Sequence, residues 1–292
     1  MSELGDFLRT RRARLTPEEV GLTSYGARRR VPGLRREELA QLAGVSVAYY
    51  TRLEQGQSRN ASDSVLEAVS RALRLDDDER AHLLHLARPV KRQRAAAPRP
   101  ETARPATRQL VEALDTVPAA VLDRRTNVLA WNGFGHALLA GHLAFDDRPN
   151  LARLLFLDPH TRELYPRWEE EARVAIASLR MVAGENPEDR ALAELIGELS
   201  MKSREFTALW ARHPVRTCTF GVKLLHHPLV GEMELNFENM VLPDDSGQRV
   251  LMYSAAPGSA ARGGLDLLRA MTAGTADPAA SADVRREAVD GG

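Results

Sequence analysis

Residues 34–56, LRREELAQLAGVSVAYYTRLEQG, decide the fold of the first third of this 292-residue chain. Two short helices joined by a tight turn must cross closely, so the first needs a small contact residue, and Ala40 supplies it. Four positions on, the turn needs a residue that accepts positive φ, and Gly44 is there. Leu39, Ala43, Val45, Tyr50 and Leu53 fall at the offsets that lock one helix on the other, and Ser46 can cap the second helix. A helix-turn-helix meets all of these demands together. Its second helix, about 47–55, has the dimensions to enter the major groove of DNA, with its N-terminal residues toward base edges. Val47, Ala48, Thr51 and Arg52 face outward there. Arg52 suits a bidentate contact to guanine, Val47 and Ala48 an apolar one, and Tyr49 reaches sugar, phosphate or base. The candidate DNA contacts are these five with Ser46 and three residues placed for phosphates, Arg36, Arg59 and Asn60.

The flanks extend an all-helical body of five helices over residues 1–88. Leu4, Leu8 and Leu15 stripe the first helix. Residues 16–33 are an irregular, Arg-rich connection. Ser62 caps a helix from Asp63 to Leu73 with Val65, Leu66, Val69 and Leu73 on one face. Asp76 and Glu79 have capping-box spacing at the start of the fifth. Residues 89–106 read as a linker, since RPVKRQRAAAPRPETARPA (88–106) holds four prolines and a basic cluster without apolar periodicity. Residues 272–292 read as a disordered tail.

Net charge is zero, but residues 1–106 hold 20 Lys+Arg against 14 Asp+Glu, and the rest 20 against 26. The basic part is the one expected to meet a polyanion. No apolar run approaches the ~18–20 residues that span a bilayer, and MSELGDFLRTRRARL lacks a secretory h-region, so the expectation is a cytoplasmic protein with no membrane partner. The single cysteine, Cys218, excludes an internal disulfide and a multi-cysteine metal site.

The second body, residues 107–271, reads as α+β. VPAAVLD (117–123) and NVLAWN (127–132) are short strands around a polar turn. Helical pattern runs from about 133 to 212, longest at 168–179 and 190–202. Strands return at 217–226 and 232–241, where Met233, Leu235 and Phe237 alternate with Glu232, Glu234, Asn236 and Glu238, and again at RVLMYSA (249–255). The expectation is one antiparallel sheet, a hairpin plus a three-stranded meander, with a helical insert.

The run RRRVPGLRREELAQLAGVSVAYYTRLEQGQSRNASDSVLEAVSRALRLDDDERAHLLHLA resembles the N-terminal domain of Xre-type regulators of the MmyB-like group. VPAAVLDRRTNVLAWN, HPVRTCTFGVKLLHHPLVGEMELNFENM and RVLMYSAAPGSAARGGLDLL resemble that group's ligand-binding domain. The resemblance implies a PAS-like sensor for a small, largely apolar molecule such as a fatty acid. It also implies a homodimer on a double-stranded operator. A second domain that only dimerises or binds a protein partner is the alternative, and an enzyme tethered to DNA is a third reading.

Candidate pocket residues are Trp131, Phe134, Leu138, Leu154, Phe156, Trp168, Trp210 and Phe220, each of which also reads as ordinary packed core. Asn132 can orient a ligand head group or cap the next helix. His213, Cys218, His226 and His227 lack metal-ligand spacing, and His82 and His85 read as a helix-surface pair, so no metal or cofactor is expected. The chain has no glycine-rich phosphate loop, no G-x-S-x-G and no H-E-x-x-H, so no catalytic residue is assigned and the expectation is not an enzyme.

Overall fold

The structure, a computed structural model, describes residues 3–22, 33–57, 61–87, 102–215, 219–243 and 247–273. Arg59, Asn60, Cys218, most of the 16–33 connection, most of the expected linker and nearly all of the expected tail lie outside the described residues. The first helices are α1 (Glu3–Arg14), α2 (Arg36–Leu42), α3 (Val47–Glu54), α4 (Asp63–Ala72) and α5 (Asp77–Ala87), with a short 3-10 turn at Glu18–Val20. Then come α6 (Pro105–Glu112), β1 (Ala119–Leu122), β2 (Val128–Trp131), α7 (Gly133–Ala140), α8 (Leu151–Leu157) and α9 (Pro159–Leu164). They are followed by α10 (Trp168–Glu185), α11 (Arg190–Lys202) and α12 (Arg204–Trp210). The remaining elements are β3 (Phe220–His227), β4 (Gly231–Val241), β5 (Arg249–Ser254) and α13 (Ala260–Ala273). Among the described residues no helix is long and apolar enough to cross a membrane.

The chain forms two compact units, and they do not follow chain order. One holds the described residues within 1–98 together with those within 173–217; the other holds those within 99–172 and 218–292. Expected boundaries at 88 and 107 left residues 173–215 with the second body, whereas in space that stretch packs on the first. The reason is visible in the first unit's core. Phe7, Leu8, Leu39, Tyr50, Leu53 and Val69 are joined there by Met181 from α10 and by Val215.

Helices α3, α4 and α5 start where the sequence places them, because short polar side chains satisfy their first amides. Ser46 Oγ accepts from Tyr49 N–H at 3.1 Å, and Ser62 Oγ from Val65 N–H at 3.4 Å. Asp76 and Glu79 close a reciprocal box, Oδ1 of Asp76 accepting at 2.8 Å and Oε2 of Glu79 at 3.4 Å.

In the second unit the strands form one antiparallel sheet in the order β2-β1-β5-β4-β3. The expected hairpin and meander are thus fused through β1 and β5, with Ala120 opposite Leu251. Met233, Leu235 and Phe237 of β4 are buried and the alternating Glu232, Glu234, Asn236 and Glu238 exposed, as the period of two requires. Their face packs on α7 and α13 around Trp131, Leu138, Leu265 and Leu268. On the other face Ala119, Val121 and Ala130 meet Val111 of α6. This is the α+β, PAS-like architecture expected for the second body.

Candidate functional site

The first site is the outer face of α3. Gly44, at φ +65°, ends α2 as a left-handed cap: its N–H bonds to Gln41 O at 3.1 Å and that of Val45 to Ala40 O at 3.0 Å. Ala40 is buried under α3, and Tyr50 and Leu53 are fully buried beneath it. That anchoring leaves Val47, Ala48 and Arg52 exposed and Tyr49 and Thr51 half-buried, all on the outer side. Ser46 is taken by its cap, so its hydroxyl serves the helix first.

Arg36 carries a partner that the sequence did not disclose: its Nε and Nη2 bond to Glu54 Oε1 at 3.0 and 2.9 Å, while 43% of its side chain stays exposed. Arg12 from α1 grips the same carboxylate, Nε to Oε2 at 3.1 Å and Nη2 to Oε1 at 3.0 Å. Burial would raise the Glu54 carboxyl, but the hydrogen bonds and charge of Arg12, then of Arg36, hold it below its ordinary range. Three helices are thereby pinned at the C-terminal end of α3. Burial, then the nearby Glu54 charge, raises the Tyr50 phenol, which stays neutral.

The second site is a cleft of about 580 Å³ in the second unit, within the usual ~300–1,000 Å³ of small-molecule sites. It lies between α7, α9, the β3–β4 turn and the end of α13, with Leu138, Leu139, Ala140, Leu164 and Leu268 among its walls. Five of the chain's eight histidines border it: His136, His142, His160, His226 and His227. His227 Nδ1 accepts from Leu229 N–H at 3.3 Å, so the ring proton is on Nε2, which donates to Ala137 O at 3.0 Å. Burial lowers the pKa of His227 and of His136, whose Nε2 lies 3.0 Å from Leu143 O. Both rings are neutral near pH 7, and this wall of the cleft is uncharged.

Of the expected pocket residues, Leu138 alone lines this cleft. Trp131 and Phe134 belong to the closed core, and the Trp131 indole donates to Phe145 O at 2.9 Å. Phe156 and Trp168 meet edge to face at 5.6 Å, with the Trp168 indole donating to Leu155 O. Leu154 packs half-buried on the core. Two placements are corrections. Phe220 opens β3 with 72% of its surface exposed. Trp210 is in the first unit, stacked on Phe206 under the Arg180 guanidinium. Asn132 is a cap and structural tie: Oδ1 accepts from Gly135 N–H at 2.7 Å and Ala119 N–H at 3.1 Å, while Nδ2 donates to Leu114 O and Val117 O. No polar atom of it remains for a ligand.

The sequence reading missed the histidine rim. The only local signal was the pair at 226–227; the other three stand on α7, just after it and on α9, and only the tertiary fold gathers them. His82 is a further correction. It is fully buried under α10, not on a helix surface, while His85 sits 3.8 Å from Glu185.

A family model described as MmyB-like transcription regulator ligand binding domain matches residues 103–268, and one described as helix-turn-helix domain matches residues 3–83. No curated protein matches the chain.

Proposed function

The chain belongs to the family of the MmyB-like transcription regulator ligand binding domain and carries a helix-turn-helix domain, which makes it a DNA-binding transcription regulator; from that premise we propose that a small apolar molecule in the cleft controls it. The observation that carries the ligand reading is the cleft itself, of about 580 Å³ and walled largely by aliphatic side chains. A fatty-acid-like molecule suits such walls, with the imidazole rim beside its polar end. Ligand and operator then change each other's affinity by the same factor. The protein acts in the cytoplasm as a homodimer, each α3 in one half-site of a pseudo-palindrome, and no catalytic step is assigned.

Val47, Ala48, Tyr49, Thr51 and Arg52 are the proposed groove contacts, supported by their common outward face on α3. Arg36, 43% exposed on its Glu54 pair, stays proposed as a phosphate contact, together with Arg59 and Asn60. Arg52→Ala should cost about 1–3 kcal/mol on the preferred operator and relax base preference at one position. Fluorescence anisotropy on a panel of operators measures this. An equal loss on every sequence would make Arg52 a phosphate contact, and no loss would take α3 out of the groove.

The ligand reading is tested by native mass spectrometry of gently purified protein, followed by denaturing extraction. A stoichiometric apolar molecule is expected. A bare dimer, whose operator affinity no added fatty acid alters, would favour a second domain that serves dimerisation alone.

A further inference from the structure

At the α9 end of the cleft two imidazoles converge on one carboxylate. His142 follows α7, Asp158 caps α9, and His160 stands in the first turn of α9. Nε2 of His142 is 2.9 Å from Asp158 Oδ2, and Nδ1 of His160 is 3.7 Å from Asp158 Oδ1. One donor atom from each of the three lies within 4.8 Å of the other two. The rings stack at 4.7 Å and 9°. A zinc ion bound at ~2.0–2.2 Å by tetrahedral N and O ligands sets those ligand atoms roughly 3.3 Å apart. The three ligand atoms lie within 4.8 Å of one another, so side-chain shifts of about an ångström would close the set.

The carboxylate is already oriented. Thr161 donates to Oδ2 through its hydroxyl at 2.7 Å and its amide at 3.1 Å, and His160 N–H reaches Oδ1 at 3.4 Å. Such outer bonds are the ones that fix a ligating carboxylate in metal sites. An ion pair between His142 and Asp158 accounts for the 2.9 Å contact alone. It does not account for a second imidazole, 70% exposed, stacked on the first beside the other carboxylate oxygen.

We propose that His142, Asp158 and His160 bind a divalent transition-metal ion of the zinc class in the wall of the cleft. Two imidazoles and one carboxylate select zinc, nickel or copper over magnesium or calcium, which take all-oxygen sets. Three protein ligands leave a fourth position of the tetrahedron for water or another small ligand.

The test uses the untagged full-length chain, stripped with chelator and titrated calorimetrically with zinc, with cobalt absorption as a second readout. One equivalent per chain is expected. Asp158→Asn keeps a capping side chain for α9, and His160→Ala removes an exposed ring, so both variants keep the fold, which circular dichroism checks. Each should weaken zinc binding by more than tenfold, and Thr161→Val, which removes one supporting hydroxyl, by about tenfold. A chain that takes up no stoichiometric zinc overturns the proposal. So does zinc uptake unchanged in both Asp158→Asn and His160→Ala, which would place the ion elsewhere.

Discussion

Glu54→Ala should lower the unfolding free energy of the helix-turn-helix unit by about 3–5 kcal/mol, the range for breaking a buried ion pair from one side. The magnitude follows from who is left behind. The Glu54 side chain is 2% exposed, the Arg12 side chain 13% and the Arg36 side chain 43%. Without the carboxylate, Arg12 keeps a bond to Leu34 O but holds a charge in a nearly closed site. Arg36 swings into water at little cost. The loss therefore belongs mostly to the Arg12–Glu54 half, and replacing both partners with apolar residues, Arg12→Met with Glu54→Leu, should restore most of it. Urea denaturation of the single and double variants separates these cases. A Glu54→Ala chain within about 1 kcal/mol of wild type would show the triad to be a surface-type pair. Because the triad ties α1 and the start of α2 to the end of α3, the single variant should also lose operator affinity at temperatures where it is still folded.

That triad marks the limit of what the sequence discloses. The turn at Gly44, the small Ala40, the cap at Ser46 and the alternation around Leu235 are local demands, met by neighbours a few positions apart, and they were legible. Arg36 was legible as a basic residue beside the motif, but not as a partner of Glu54, since nothing in the spacing ties a charge on α2 to a carboxylate 18 residues away. Residues 173–215 have the apolar stripes of amphipathic helices, and a stripe says that a face is buried without saying against which body. Met181 and Val215 complete the first unit's core for that reason, unannounced. The large aromatics drew attention as a pocket because they are large. Trp131, Phe134, Phe156 and Trp168 are buried instead while Phe220 stands exposed, and smaller aliphatic side chains and histidines are left to line the cleft.

The docking of α10 on the first unit has a consequence under acid. His82 is fully buried, edge-on to Phe7 at 5.2 Å, and neither ring nitrogen has a hydrogen-bond partner among the described residues. A Cβ at Gly184 of α10 would come within 2.8 Å of the ring, so the helix covers it without room for water. Arg180 from α10 and Arg11 from α1 face it, with His85 on its own helix and His213 nearby. Burial first, then Arg180 and Arg11, pushes its pKa from 6.5 down to about 3. His213 is pushed to about 4, again by burial and then Arg180. The unfolded chain binds these protons more readily than the folded one. The stability is therefore fully present above about pH 6.5 and is lost as pH falls toward the folded values, at up to about 1.4 kcal/mol per pH unit for the sealed His82 and at less for His213, which solvent partly screens. Glu3, whose carboxyl burial raises despite Arg180, works the other way and blunts the slope near its low end. Thermal unfolding between pH 7 and 4.5 should show a steep loss in wild type and a shallower one in His82→Leu, which keeps bulk without a titrating group. Equal slopes in the two chains would mean that water or a local opening reaches His82 before the unit unfolds, and that α10 does not seal it.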